Sequence, residues 1–172
     1  MVENVNEGEN GTDFLYEVDA SGNRTLVRSY EALQRAFLRF TNRTLRPVDV
    51  FWRDYNGVKQ FYVRIEPGKH YNINSYITHP WEFIDSATKE RYVVNNKLIF
   101  RAPESVGGMM FRTNWNITVP TVRSLRFCAM MSLMRRVEPE QVASLGLPRT
   151  LADELRHYML RVRRSSAPQP VA

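Results

Sequence analysis

Between residues 37 and 119 apolar side chains recur at alternate positions in short runs, each ended by a turn signal, and this pattern limits the fold more than any other feature. Phe37-Leu38-Arg39-Phe40 is the first predicted strand and Val48-Asp49-Val50-Phe51-Trp52 the second. Asp54-Tyr55-Asn56-Gly57 follows, with an Asn-Gly pair that tolerates the positive φ of a tight reversal. In the third strand, Phe61-Tyr62-Val63-Arg64-Ile65, alternation points Phe61, Val63 and Ile65 into a core and Tyr62 and Arg64 away from it. Further strands are predicted over 71–76, 81–84, 91–94, 98–101 and 110–119, punctuated by Glu66-Pro67-Gly68 and Gly107-Gly108. Strands this short and this closely spaced predict a small antiparallel β-sandwich.

At Pro120 the period changes to that of a helix. Val122, Leu125, Ala129 and Leu133 lie near one helical face, and Met130, Met134 and Val137 on an adjacent one. That stripe is too wide for a helix packed on a single surface, so a partner is expected to cover part of it. Glu138-Pro139-Glu140 opens a second short helix that Gly146 ends, and Leu147-Pro148 opens a third with Leu147, Leu151 and Leu155 at helical spacing. The expectation is an α+β protein: an acidic flexible tail over 1–28, a β-sandwich over 29–120, three helices over 121–164 and a disordered tail over 165–172.

Several function classes have little support. Cys128 is the only cysteine, which leaves no internal disulfide and no thiolate zinc cluster. His70, His79 and His157 share no metal-ligand spacing, so neither a metal nor a cofactor is expected. No apolar run is long enough to span a bilayer and the first residues are acidic and polar, which predicts a soluble protein of the cytoplasm and nucleus that does not engage membranes. The net charge of +6 is scattered along the chain, as on a solvated surface, and does not itself argue for specific nucleic-acid binding. Ser75, His79 and Asp85 evoke a hydrolytic triad, but nothing around Ser75 resembles a nucleophile elbow and no catalytic residue is expected.

Trp52, Tyr62, Ser75, His79 and Trp81 are spread over several predicted strands and their loops. The aromatics could simply fill a core. They could also line a shallow slot with two polar groups in its wall, suited to a rigid apolar ring that carries one hydroxyl.

The residues resemble the von Hippel-Lindau tumour suppressor family. The likeness rests on Phe40-Thr41-Asn42-Arg43-Thr44, Trp52 with Tyr55-Asn56-Gly57, Pro67-Gly68, and above all Ile73-Asn74-Ser75-Tyr76-Ile77-Thr78-His79-Pro80-Trp81. Val94-Asn95 and Asn116-Ile117-Thr118-Val119-Pro120 continue it in the same order. The resemblance implies a non-catalytic substrate receptor of a ubiquitin ligase, which binds prolyl-hydroxylated hypoxia-inducible factor α and assembles with elongin C, elongin B, a cullin and a RING subunit. It places hydroxyproline and its peptide against Trp52, Tyr62, Asn74, Ser75, Tyr76, His79 and Trp81. Asn74 stands where the family commonly has histidine, and residues 31–33, beside the family's peptide groove, match poorly.

The same resemblance places elongin C against Leu125, Ala129, Leu133, Leu145 and Leu151, and a cullin against Leu147 and Pro148. Ala129 occupies the position of the family's elongin-box cysteine, with Cys128 one residue too early. The family's last helix is missing or much shortened. The main alternative is a basic module, built on the Arg-rich N-terminal half, that binds nucleic acid or another acidic partner.

Overall fold

The structure, a computed structural model, describes residues 2–5, 14–18, 21–123 and 125–166. It divides into two compact units, one spanning Met1–Ser86 and Glu90–Pro120, the other Ala87–Lys89 and Thr121–Ala172.

The first unit is built on seven strands: β4 (Arg35–Asn42), β5 (Val48–Arg53), β6 (Lys59–Ile65), β7 (His70–Tyr76), β8 (Trp81–Asp85), β9 (Arg91–Val94) and β10 (Thr113–Thr118). They form one continuous sheet in the order β6-β5-β8-β9-β10-β4-β7, antiparallel throughout except where β10 runs parallel to β4. The sandwich expected from the sequence is therefore revised to a single, nearly closed sheet. The β8–β9 and β9–β10 ladders join what would otherwise be two layers. Residues 98–101, read as a strand, contribute only the isolated Phe100–Trp81 bridge.

The alternation that predicts the strands also fills the interior. Ala36, Leu38 and Phe40 of β4 are buried, as are Val48 and Val50, Ile73, Phe83, Val94 and Ile117 on other strands. Phe40 is central to this core, with ring centroids 4.8 Å from Phe83, 5.4 Å from Phe100 and 5.8 Å from Trp81. Edge-to-face pairs of this kind stabilise beyond the area they bury. Asn42, fully buried, ends β4: its amide donates to the carbonyls of Arg46 and Ile65, and its oxygen accepts from Thr44. Those bonds satisfy a polar group that burial would otherwise penalise.

One irregularity reverses a prediction. Val50 pairs with Val63 but Phe51 pairs with Phe61, so Tyr62 is the extra residue of a β-bulge. Beyond the bulge the faces of β6 exchange. Phe61 turns outward, 60% exposed and stacked edge-on against Phe51, and Tyr62 turns towards Trp81. The sequence reading had these two the other way round, because a bulge breaks the period of two on which it relied.

The residues expected as a tail, 1–28, carry three strands among the described residues: β1 (Val2–Val5), β2 (Phe14–Val18) and β3 (Arg24–Leu26). Leu15 and Val27 bury themselves with Ile99, and Glu17 pairs with Arg101 at 2.9 Å, which ties this small sheet to the larger one. Of the expected tail, residues 1, 6–13, 19 and 20 lie outside the described residues.

The second unit holds α1 (Leu125–Met134), a 3-10 turn over Pro139–Leu145, and α2 (Arg149–Ser166). Glu138 and Gln141 form a reciprocal capping box at the start of the turn, and Gly146 ends it at φ +64°. Val142, Leu155 and Met159 are its buried core, with Leu133 and Leu147 packed against them. Helix α2 extends through residues 165 and 166, which the sequence reading assigned to a disordered tail; residues 167–172 lie outside the described residues. Among the described residues no helix is long and apolar enough to cross a membrane.

Candidate functional site

Strands β5 and β8 place Trp52 directly opposite Trp81, so the two indoles are cross-strand neighbours. Around Trp81 the site is tight. The indole is 2% exposed, and its Nε1 donates to Ser75 Oγ at 3.1 Å. That bond joins β8, an interior strand, to β7 at the sheet edge, although the two share no ladder, and so holds the sheet curved. The bulge sets the Tyr62 ring 5.1 Å from the Trp81 ring and 6.3 Å from Tyr71. Tyr62 and Tyr71 are both half-exposed, so this side of Trp81 opens to solvent between tyrosine rings.

On the Trp52 side, the turn after β7 brings in His79, whose backbone N–H donates to Tyr76 O. Its imidazole lies among three rings, with centroids 5.1 Å from Tyr76, 5.4 Å from Trp52 and 5.8 Å from Tyr55. Tyr55 OH approaches Nε2 at 3.4 Å, which leaves Nδ1 as the ring nitrogen without a protein partner among the described residues. Burial lowers the His79 pKa below that of a free imidazole, so the ring is neutral at physiological pH. In the tautomer that donates from Nε2 to Tyr55, Nδ1 is a hydrogen-bond acceptor. Ser75, 3% exposed, accepts from Trp81 and can donate its one hydroxyl proton, which in this structure points to Tyr76 O at 3.4 Å. Rings, Trp81 buried and the others partly exposed, thus gather around one acceptor and one rotatable donor, as recognition of an apolar ring bearing a hydroxyl requires.

Of the seven predicted peptide-binding residues, six come together: Trp52, Tyr62, Ser75, Tyr76, His79 and Trp81. Asn74 does not. Alternation along β7 turns it to the opposite face of the sheet, where it accepts from Arg112 Nη2 at 2.9 Å. The imagined triad does not form, because Ser75 bonds to Trp81 rather than His79 and Asp85 accepts from Tyr92 OH at 2.6 Å. Among the described residues no group of three His, Cys, Asp or Glu side chains could hold a metal ion.

The sequence reading missed several supports. Ser29 accepts from Trp52 Nε1 at 2.8 Å and donates to Arg53 O at 2.6 Å, fixing the indole. Arg53 is fully buried, ion-paired with Glu82, and bonded to Gly57 O at 3.1 Å, and its N–H donates to Pro80 O. This one residue therefore links the hairpin, the β8 entry and the Ser29 loop that frame the slot. Ser29 lies in an irregular segment with no periodic signal. Arg53 continues the alternation of β5, but a charge at a core position reads from sequence as the end of a strand.

In the helical unit the predicted docking leucines divide. Leu133 and Leu147 serve the internal core, whereas Leu125 (89% exposed), Ala129, Leu145 and Leu151 remain exposed, and Pro148 with them.

Residues 27–108, the part of the chain that builds this slot, match the family model of the VHL beta domain. Among curated proteins the chain is similar to Protein Vhl of Drosophila melanogaster, with 29% identity over 76 residues. That similarity covers 44% of this chain, and the chain spans 43% of the length of that relative.

Proposed function

We propose that the chain is the substrate-recognition subunit of a ubiquitin ligase assembled with elongin C, elongin B, a cullin and a RING subunit, acting in the cytoplasm and nucleus. In this reading it captures hypoxia-inducible factor α through a 4-hydroxyproline. The observation that carries the proposal is that two buried polar residues, Ser75 and His79, border the same cluster of rings, Ser75 through Trp81 and His79 through Trp52 and Tyr76. The pyrrolidine ring would lie against the indoles, and its hydroxyl would donate to His79 Nδ1 and accept from Ser75 Oγ. Among the described residues strand β7 pairs only with β4, which leaves its other edge to hydrogen-bond an extended peptide main chain. Ubiquitin transfer belongs to the partners, and this chain contributes no catalytic group. The exposed Leu125, Ala129, Leu145 and Leu151 support docking of elongin C, and the exposed Pro148 supports cullin contact.

Reconstitution tests the whole reading. With elongins B and C, the cullin and the RING subunit present, a hydroxylated peptide of hypoxia-inducible factor α should be ubiquitinated. Ser75→Ala with His79→Ala should abolish transfer. Equal transfer to the unmodified peptide contradicts the reading.

A further inference from the structure

The outer face of the β10-β4-β7 region has an unusual charge balance. None of the three strands contains an aspartate or glutamate. Arg39 reaches across from β4 to place its Nε on Asn72 Oδ1 of β7 at 3.0 Å. Arg112 lies over the same ladder, with Nη1 on the carbonyls of Leu38 (2.7 Å) and Ile73 (2.9 Å) and Nη2 on Asn74 Oδ1. Amides and carbonyls orient both guanidinium groups without neutralising them, and among the described residues neither has a carboxylate partner. By contrast, Arg46, Arg53, Arg64, Arg91 and Arg101 in the same unit each pair with an acid.

These two charges stand beside Asn72 and Asn74, the outward-facing residues of the edge strand, with Ser75 directed inward between Asn74 and Tyr76. A peptide added along that edge is subject to the same pleat, so successive side chains point to opposite faces. If its hydroxyproline enters the slot beside Ser75, the residues one and three positions away, on the side running towards Asn72, must project over the face that carries Arg112 and Arg39. We infer that Arg39 and Arg112 set the flanking specificity of the site, selecting hydroxyproline peptides with acidic residues at those alternate positions. The inference rests on the proposed hydroxyproline reading and supplies a preference which that reading leaves open.

The test is a titration of the full chain, bound to elongins B and C, with hydroxyproline peptides carrying Glu, Gln or Lys at the two positions. Glu should bind about two- to fivefold tighter than Gln at each position at low salt, as expected for a largely solvated ion pair. Lys should bind more weakly than Gln. Arg39→Gln, which keeps a polar group beside Asn72, should erase the Glu–Gln difference opposite Asn72 while leaving the hydroxyproline requirement intact. Equal affinities for all three hydroxylated peptides overturn the inference and spare the slot. Failure of every hydroxylated peptide to bind overturns the slot itself. Charge-independent peptide binding, with a labelled single-stranded oligonucleotide held in an Arg39-dependent way, overturns the inference in favour of a nucleic-acid surface.

Discussion

Glu82→Gln should destabilise the sheet unit far more than its position, outside the ring of slot side chains, suggests. Arg53 and Glu82 are 0% and 1% exposed, and they form an ion pair inside the unit. Removing the carboxylate charge leaves a buried guanidinium without its counter-ion. Breaking one side of such a pair costs about 3–5 kcal/mol, against a total stability of about 5–15 kcal/mol for a typical domain. Arg91, 3.2 Å from the second Glu82 oxygen and 20% exposed, can turn to water and should add little. Arg53→Met with Glu82→Leu removes both charges, keeps the volume apolar, and should recover most of the loss. Urea unfolding followed by tryptophan fluorescence measures this in isolation, because Trp52, Trp81 and Trp115 all belong to the sheet unit. A loss under about 1 kcal/mol for the single variant, or a double variant no better than the single, would refute the reasoning. Because Arg53 also anchors Pro80, Ser29 and Gly57, the single variant should weaken peptide binding as well.

Other expectations follow from single residues. Gly57 sits at φ +80° with Leu26 atoms 3.0 Å from where a Cβ would lie, so Gly57→Ala should cost at least about 1–2 kcal/mol in the same unfolding assay. His79, its folded pKa depressed by burial, gives stability that is full above the unfolded value near 6.5 and falls as pH drops from there towards the folded pKa. Thermal melts across that window should show a smaller acid loss in His79→Gln. In the helical unit, Leu155→Ala should cost about 2–5 kcal/mol, because Leu155 is 2% exposed. Leu125→Ala should leave the melt within about 0.5 kcal/mol and reduce elongin C capture in co-purification, because Leu125 packs on nothing within its own unit.

Much of the fold is legible in the sequence because strand alternation and turn residues are local signals. Val48, Val50, Leu38 and Phe40 announce their burial by spacing alone, and Asn56-Gly57 marks its hairpin. What fails is non-local. The bulge at Tyr62 depends on how β6 pairs with β5, and no window on β6 contains that information. The change from a sandwich to one curved sheet likewise depends on which strands share ladders, a property of the assembled fold. Six residues that the structure brings together, Trp52, Tyr62, Ser75, Tyr76, His79 and Trp81, were named through the family motif. Asn74, named with them as a peptide contact, lies on the other face of β7, because motif adjacency says nothing about which face of a strand a residue occupies. The leucines of the second unit show the same limit: spacing marks an apolar stripe, but packing decides that Leu155 is core and Leu125 surface.

The most direct test of the central claim is calorimetric titration of the chain, with elongins B and C bound, against paired peptides of hypoxia-inducible factor α that differ only in one hydroxyl. Ser75 keeps Trp81 and Tyr76 as partners when proline lacks the hydroxyl, so only His79 loses its acceptor role outright. One unsatisfied group at about 1–3 kcal/mol, together with the bonds gained, predicts a preference between about tenfold and a thousandfold for the hydroxylated peptide. Ser75→Ala with His79→Ala should collapse that ratio to near unity. Equal affinity of the intact protein for both peptides, or an undiminished preference in the double variant, would contradict the account.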